Sequence, residues 1–208
     1  MAVFSRTKEE LCSAAFTLLG AGQITGLDDG SDLGKIAGLL YSAVRDRVLI
    51  MHPWKCAIRK SASLSRHTAT PKNEWRYKYQ LPSEMLAGPK AVFDSDSAGA
   101  TPIADFEVFE KQEIYSNADA LYVDYWIRPD INTWPPYLYQ LMMFALAADF
   151  AEPATDQTSK ADYWRAVAFG TPSEGGTGGY FRQARTLDAQ TQQVKAFRDD
   201  YPLISARY

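Results

Sequence analysis

Apolar residues near the N-terminus recur at helical spacing. Leu11, Ala14, Ala15, Leu18 and Leu19 form one stripe. Thr7 and Glu10 stand in front of it in capping-box spacing, and Gly20 and Gly22 close it. After a Gly- and Asp-rich linker, Ser31 or Asp32 can cap a second helix. Its stripe is Ile36, Leu39, Leu40, Ala43, Val44 and Val48, stopping near Pro53. Two amphipathic helices on a short loop predict a helical hairpin. The period then changes. Trp75 to Leu81 alternates aromatic against polar, the pattern of a half-exposed strand, and Pro82 stops it. Ala57 to Ser65 is short and polar-alternating. Ala91 to Phe93, Phe106 to Phe109, Ile114-Tyr115 and Ala120 to Ile127 complete about five strands. Their connections are too short for helical crossovers, so the order is antiparallel.

Helix returns after Thr133, a candidate N-cap, and the prolines that follow it. Tyr137 to Phe150 is apolar nearly all round and should be buried on several sides, with Pro153 ending it. A further helix starts at Asp156 or Thr158 and carries Tyr163, Trp164, Val167 and Ala168. The Gly-rich stretch 170–179 breaks it and reads as a flexible surface loop. Thin helical character resumes from Tyr180 to about Phe197. The chain is thus expected to be α+β and mainly α. A helical hairpin spans 1–54 and a small antiparallel β-rich insertion spans 55–131. C-terminal helices span 132–198 and a C-terminal segment spans 199–208.

Composition narrows the chemistry. A net charge of −3 on 208 residues excludes a generally basic nucleic-acid coat. Cys12 and Cys56 belong to no paired motif, which excludes a disulfide scaffold or a cysteine zinc site and points to a reducing compartment. Met1 to Glu10 lacks the apolar run of a signal peptide. Tyr137 to Phe150 is shorter than the roughly 20 residues a membrane span needs. His52 and His67 have no His or Cys at metal-ligand spacing. The glycine stretch lacks the Lys and hydroxyl of a phosphate loop. No catalytic, cofactor-binding or metal-ligating residue is therefore expected.

Three groups keep other readings open. Asp28, Asp29, Asp94, Asp96, Glu107, Glu110 and Glu113 could supply the acid and base of a glycan hydrolase, although Asp28-Asp29 also reads as a turn. Trp75, Tyr77 and Tyr79 share one strand face, which would suit a carbohydrate-binding module or the inside of a β domain. Between positions 45 and 78, nine Lys or Arg stand against Asp46 and Glu74, either a solvated face or a basic face toward an acidic partner or nucleic acid.

One ordered set of residues goes further. Leu18-Leu19-Gly20 leads to Ile24 and Leu27-Asp28-Asp29, then Tyr41, Arg45, Leu49, His52-Pro53-Trp54 and Ala57. Trp75, Tyr77 and Tyr79-Gln80-Leu81-Pro82 follow, then Tyr125, Trp134-Pro135-Pro136, Ala145-Leu146-Ala147-Ala148, Ala184 and Asp188-Ala189-Gln190. Over roughly residues 10 to 190 this resembles the tail tubular protein A family of short-tailed bacteriophages. The departure is at 170–179, where the family has one long helix. The resemblance implies a four-helix-type bundle of the N- and C-terminal helices, with the β-rich segment projecting from it. It also implies a head-to-tail adaptor of the virion neck, made in the host cytoplasm and assembled as a closed ring of twelve identical subunits. The portal protein lies above the ring and the tail nozzle protein below. Double-stranded DNA passes through without sequence-specific binding, and no membrane is involved. A closed ring needs a heterologous interface, and a surplus of Tyr and Trp suits one. Beyond the family pattern, Val194, Phe197, Tyr201, Leu203, Ile204 and Tyr208 form an apolar C-terminal set expected to dock onto the portal.

Overall fold

The computed structural model describes residues 6–190 apart from 70, 72, 98, 110 and 111. The protein is α+β. Its described elements are five α-helices and two small antiparallel sheets.

Helix α1 (Lys8–Leu18) starts at Thr7, whose hydroxyl accepts the Glu10 amide while the Glu10 carboxylate accepts the Thr7 amide. It buries Leu11, Cys12, Ala15 and Phe16. Helix α2 (Asp32–Ile50) is capped by Ser31, whose hydroxyl accepts the Gly34 amide. The expected stripe on α2 shifts by one face. Ala37, Tyr41, Val44 and Val48 are buried, whereas Leu39 is 79% exposed. The turn before α2 is knotted by Asp29, which accepts the amide and hydroxyl of both Thr25 and Ser31. The hydrogen bonds from Ser31 and then Thr25 hold its carboxyl well below the usual carboxylate range. The linker then runs directly over α2. A Cβ added at Gly38 would lie 2.6 Å from the Leu27 carbonyl oxygen, a fixed backbone atom. Gly38→Ala is therefore expected to cost about 1–3 kcal/mol, as overpacking does. Thermal melting checks this, with Ser42→Ala on the exposed face as the neutral control.

Helix α3 (Pro136–Thr155) is the hub. It contacts α1 and α2, and also α4 (Thr158–Phe169) and α5 (Gly179–Gln190). Its apolar circumference explains this, since buried residues fall on all sides from Leu138 to Ala151. Phe16 of α1 stacks on Phe150 of α3 with ring centres 4.7 Å apart. Thr133 sits in a short 3₁₀ turn rather than at the N-cap, which is Pro135. Pro153 does not end α3. It falls in the last turn, where losing one amide costs little, and Asp156 ends the helix in the left-handed conformation with φ 54°.

The 170–179 stretch is a compact turn, not a loose loop. Thr171 and Glu174 form a second capping box, and Arg182 meets Glu174 at 2.5 Å. The Gly178 amide donates to Phe169 O at 2.9 Å. A Cβ on Gly179 would lie 2.6 Å from Gly170 N, so α4 and α5 approach as only glycines allow.

Six strands, one more than expected, lie between the helical parts. They are β1 (Ile58–Lys60), β2 (Tyr77–Gln80), β3 (Ala87–Phe93), β4 (Phe106–Phe109), β5 (Glu113–Ser116) and β6 (Tyr122–Trp126). One sheet has the order β1-β6-β3 and the other β2-β5-β4. They share a core of Leu64, Tyr79, Leu81, Val92, Ile114, Leu121, Val123, Tyr125 and Ile127. Alternation buries Val123 and Tyr125 of β6 between half-buried neighbours. This core is separate from the helical one, which runs from Leu11 to Ala184. The insertion leaves and returns at one place, where the Ile127 amide donates to Ala57 O at 2.8 Å. Among the described residues no helix is long and apolar enough to cross a membrane.

Candidate functional site

Two places gather chemistry-bearing side chains. The first is the seam where α2, the start of α3 and the end of α5 meet. Trp54 is its centre, with no exposed surface. Its indole donates to Val48 O at 2.9 Å and packs edge-on against Phe181 and His52. Asp188 is the one buried charged residue among those described. Its Oδ1 accepts the Tyr137 hydroxyl at 2.7 Å, and its Oδ2 lies 3.5 Å from His52 Nε2. Its carbonyl accepts Lys55 Nζ at 2.5 Å. The knot therefore ties the hairpin, α3 and α5 together two residues before the described chain ends. Burial, and then the bond to Asp188, push the Tyr137 hydroxyl well up, so it stays a donor.

Burial lowers the His52 pKa from its usual 6.5, and Asp188 only partly offsets this. The folded protein thus resists protonating His52, and the unfolded chain binds that proton first. The stability from neutral His52 is complete above pH 6.5 and falls away as the pH drops through and below that value. Melting of the wild type relative to His52→Asn is expected to worsen on going from pH 7.5 to 5.5. Parallel melting curves would show that His52 does not titrate differently on folding.

The second place is the basic window. The structure dissolves most of it into pairs. Arg45 and Arg128 share Asp46 at 2.8 and 2.9 Å, and Arg47 meets Asp149 at 2.8 Å. Arg59 meets Glu84 at 2.6 Å, Lys60 meets Asp124 at 2.7 Å and Lys78 meets Glu113 at 2.6 Å. Lys72 lies outside the described residues. Arg66 and Arg76 are different. Neither forms an ion pair with a described residue, and both guanidinium groups lie over the Tyr77 ring, 4.6 and 5.1 Å from its centre. With His67 and Thr68 they line an open hollow of about 430 Å³.

The remaining candidates are scattered. Tyr79 is buried, Tyr77 is half-buried under the two arginines, and Trp75 precedes β2, donating its indole to Glu107 at 3.1 Å. The three rings form no shared exposed platform. Asp28, Asp94 and Asp96 are exposed in loops, and Asp29 is the turn residue described above. Glu113 is held by Lys78 and by the Tyr115 hydroxyl at 3.1 Å. Glu110 lies outside the described residues. So do all six residues of the apolar C-terminal set, Val194, Phe197, Tyr201, Leu203, Ile204 and Tyr208. Burial pushes the Cys12 thiol up to about 12 and Cys56 up to about 11, so neither is a thiolate at neutral pH. Among the described residues, no three His, Cys, Asp or Glu stand where they could hold a metal ion.

Sequence reasoning missed the Asp188 knot. Its partners are far apart along the chain, yet a signal exists. Phe181, Ala184 and Asp188 recur at helical spacing, which places a carboxylate on the buried face of α5. No protein-family model matches the chain, and no curated relative matches it.

Proposed function

We propose that the protein is a head-to-tail adaptor of a short-tailed bacteriophage. It is a structural subunit of a twelve-membered ring in the virion neck. The portal lies above it and the tail nozzle below, and double-stranded DNA passes through without sequence-specific binding. The observation that carries the reading is where the residues of the resemblance fall. Leu19, Ile24, Tyr41, Leu49, Trp54, Ala57, Tyr79, Leu81, Tyr125, Trp134, Ala145 to Ala148, Ala184 and Asp188 are buried. About half of the pattern lies in the two cores and the seam between them, while Gly20, Asp28, Asp29, Gln80 and Gln190 are exposed. The buried half supports a shared fold, because core positions are what a fold constrains.

The helices fit the implied bundle, with α1, α2, α4 and α5 around α3. The β-rich insertion suits a projecting lobe, since its entry and exit are adjacent. Exposed apolar residues on the helices suit contacts between flanks. Leu39 and Ile50 lie on α2 and Tyr163 on α4, and they are 79%, 47% and 62% exposed. Portal docking belongs to Val194, Phe197, Tyr201, Leu203, Ile204 and Tyr208. Imaging the protein mixed with its own portal tests the reading. A second ring stacked coaxially on the portal is the expected result, and bare portals beside dispersed protein would refute it.

A further inference from the structure

We infer that the hollow formed by Arg66, Arg76 and Tyr77 binds a phosphate group of a nucleic-acid backbone. The chain has 25 carboxylates against 22 Lys and Arg, so an arginine can readily find a carboxylate. Around this hollow the neighbouring cations have done so. Lys78, one residue from Tyr77, is held by Glu113, and Arg59 and Lys60 are held by Glu84 and Asp124. Arg66 and Arg76 instead converge on one tyrosine ring from different segments, and neither forms an ion pair with a described carboxylate. The ring orders them. An arginine stacked on an aromatic face loses less freedom when its fork meets an oxyanion, and guanidinium matches phosphate oxygens bidentately. Both guanidinium groups lie over the Tyr77 ring, 4.6 and 5.1 Å from its centre, and both arginines line the same hollow, so an anion held there faces both. Thr68 adds a hydroxyl to the rim.

Among the described residues no carboxylate forms an ion pair with either fork: Glu113 is held by Lys78, and Glu107 accepts the Trp75 indole at 3.1 Å. Arg66 also acts on the Tyr79 hydroxyl, which leaves the rest of its fork for the hollow. A backbone phosphate is approached through charge and not base identity, so binding is weak, independent of sequence and sensitive to salt. Such a contact is compatible with DNA that moves past, but it stands on the arginines alone and does not require the ring.

The experiment titrates the full chain with a labelled 20-base-pair duplex across a salt series. A dissociation constant of about 10⁻⁴–10⁻⁶ M is expected at physiological salt, tightening as salt is lowered. The double variant Arg66→Gln/Arg76→Gln is expected to bind about tenfold or more weakly and to flatten the log–log salt slope by about 2. Arg59→Gln/Lys60→Gln, which alters paired cations, should leave the slope unchanged. Circular dichroism and melting establish that each variant is folded. The single Arg76→Gln, on an exposed side chain, carries the test with a slope change of about 1 where the double variant melts lower. Absence of duplex binding, or binding indifferent to both arginines, would overturn the proposal. So would an equal loss in the control pair. Equal binding of polyglutamate of matched charge would assign the hollow to an acidic protein. Full competition by inorganic phosphate at the duplex's phosphate concentration would assign it to the free anion. Loss of this site with ring assembly intact would leave the adaptor reading standing.

Discussion

Trp54→Ala is expected to destabilise the protein by about 3–5 kcal/mol, as removal of a buried tryptophan does. That lowers the melting temperature by roughly 10 °C for a chain of this size. The effect is large because Trp54 is the keystone of the seam. Its ring touches Phe181 of α5, His52 at the end of α2 and Tyr137 at the start of α3. Truncation leaves a cavity shared by three elements and strips the cover from the Asp188 knot. Trp54→Phe should recover part of the loss while leaving Val48 O without its indole donor. A wild-type melting curve for Trp54→Ala would show that the three elements do not depend on this contact.

Truncation after Gln193 is expected to abolish attachment to portal-bearing heads. It removes all six apolar side chains assigned to docking. Each can contribute on the order of 1.5–3 kcal/mol when buried against a partner, less the cost of ordering the segment. Each loss of about 1.4 kcal/mol weakens binding tenfold, so losing even part of that sum is enough to release the subunit at micromolar concentration. The truncated chain should keep the circular dichroism of its helices, because the helical core closes at Ala184. Co-sedimentation with heads reads the result. Truncated protein that still joins heads would place docking elsewhere on the subunit.

How much of this could be read from the residues depended on the range of the interaction. Local signals carried well. The capping box at Thr7 and Glu10, the Ser31 cap, the all-round apolar run of α3 and the strand at 120–127 are consequences of neighbours along the chain. Where a distant partner decides the outcome, the pattern misled. Leu39 looked like part of the stripe on α2, but α3 takes the face through Ala37, Tyr41 and Val44, in which a small alanine hides the periodicity. The basic window looked like one charged face. Its partners Glu84, Asp124, Asp149 and Asp188 lie outside it, so only the folded chain separates paired cations from Arg66 and Arg76. The glycine-rich stretch looked loose because composition says nothing of close approach. Gly170 and Gly179 are glycines because two helix ends meet there. The Asp188 knot was half legible, since helical spacing put a carboxylate on a buried face but could not supply Tyr137 or His52.

The adaptor reading rests on assembly, and a mass measurement of the native complex tests it most directly. The full chain is mixed with the portal ring of its own phage, and the mass of the portal species is measured before and after. The expected gain is twelve copies of a 23.2 kDa subunit per portal ring. A portal ring of unchanged mass beside free 23.2 kDa chains would contradict the account.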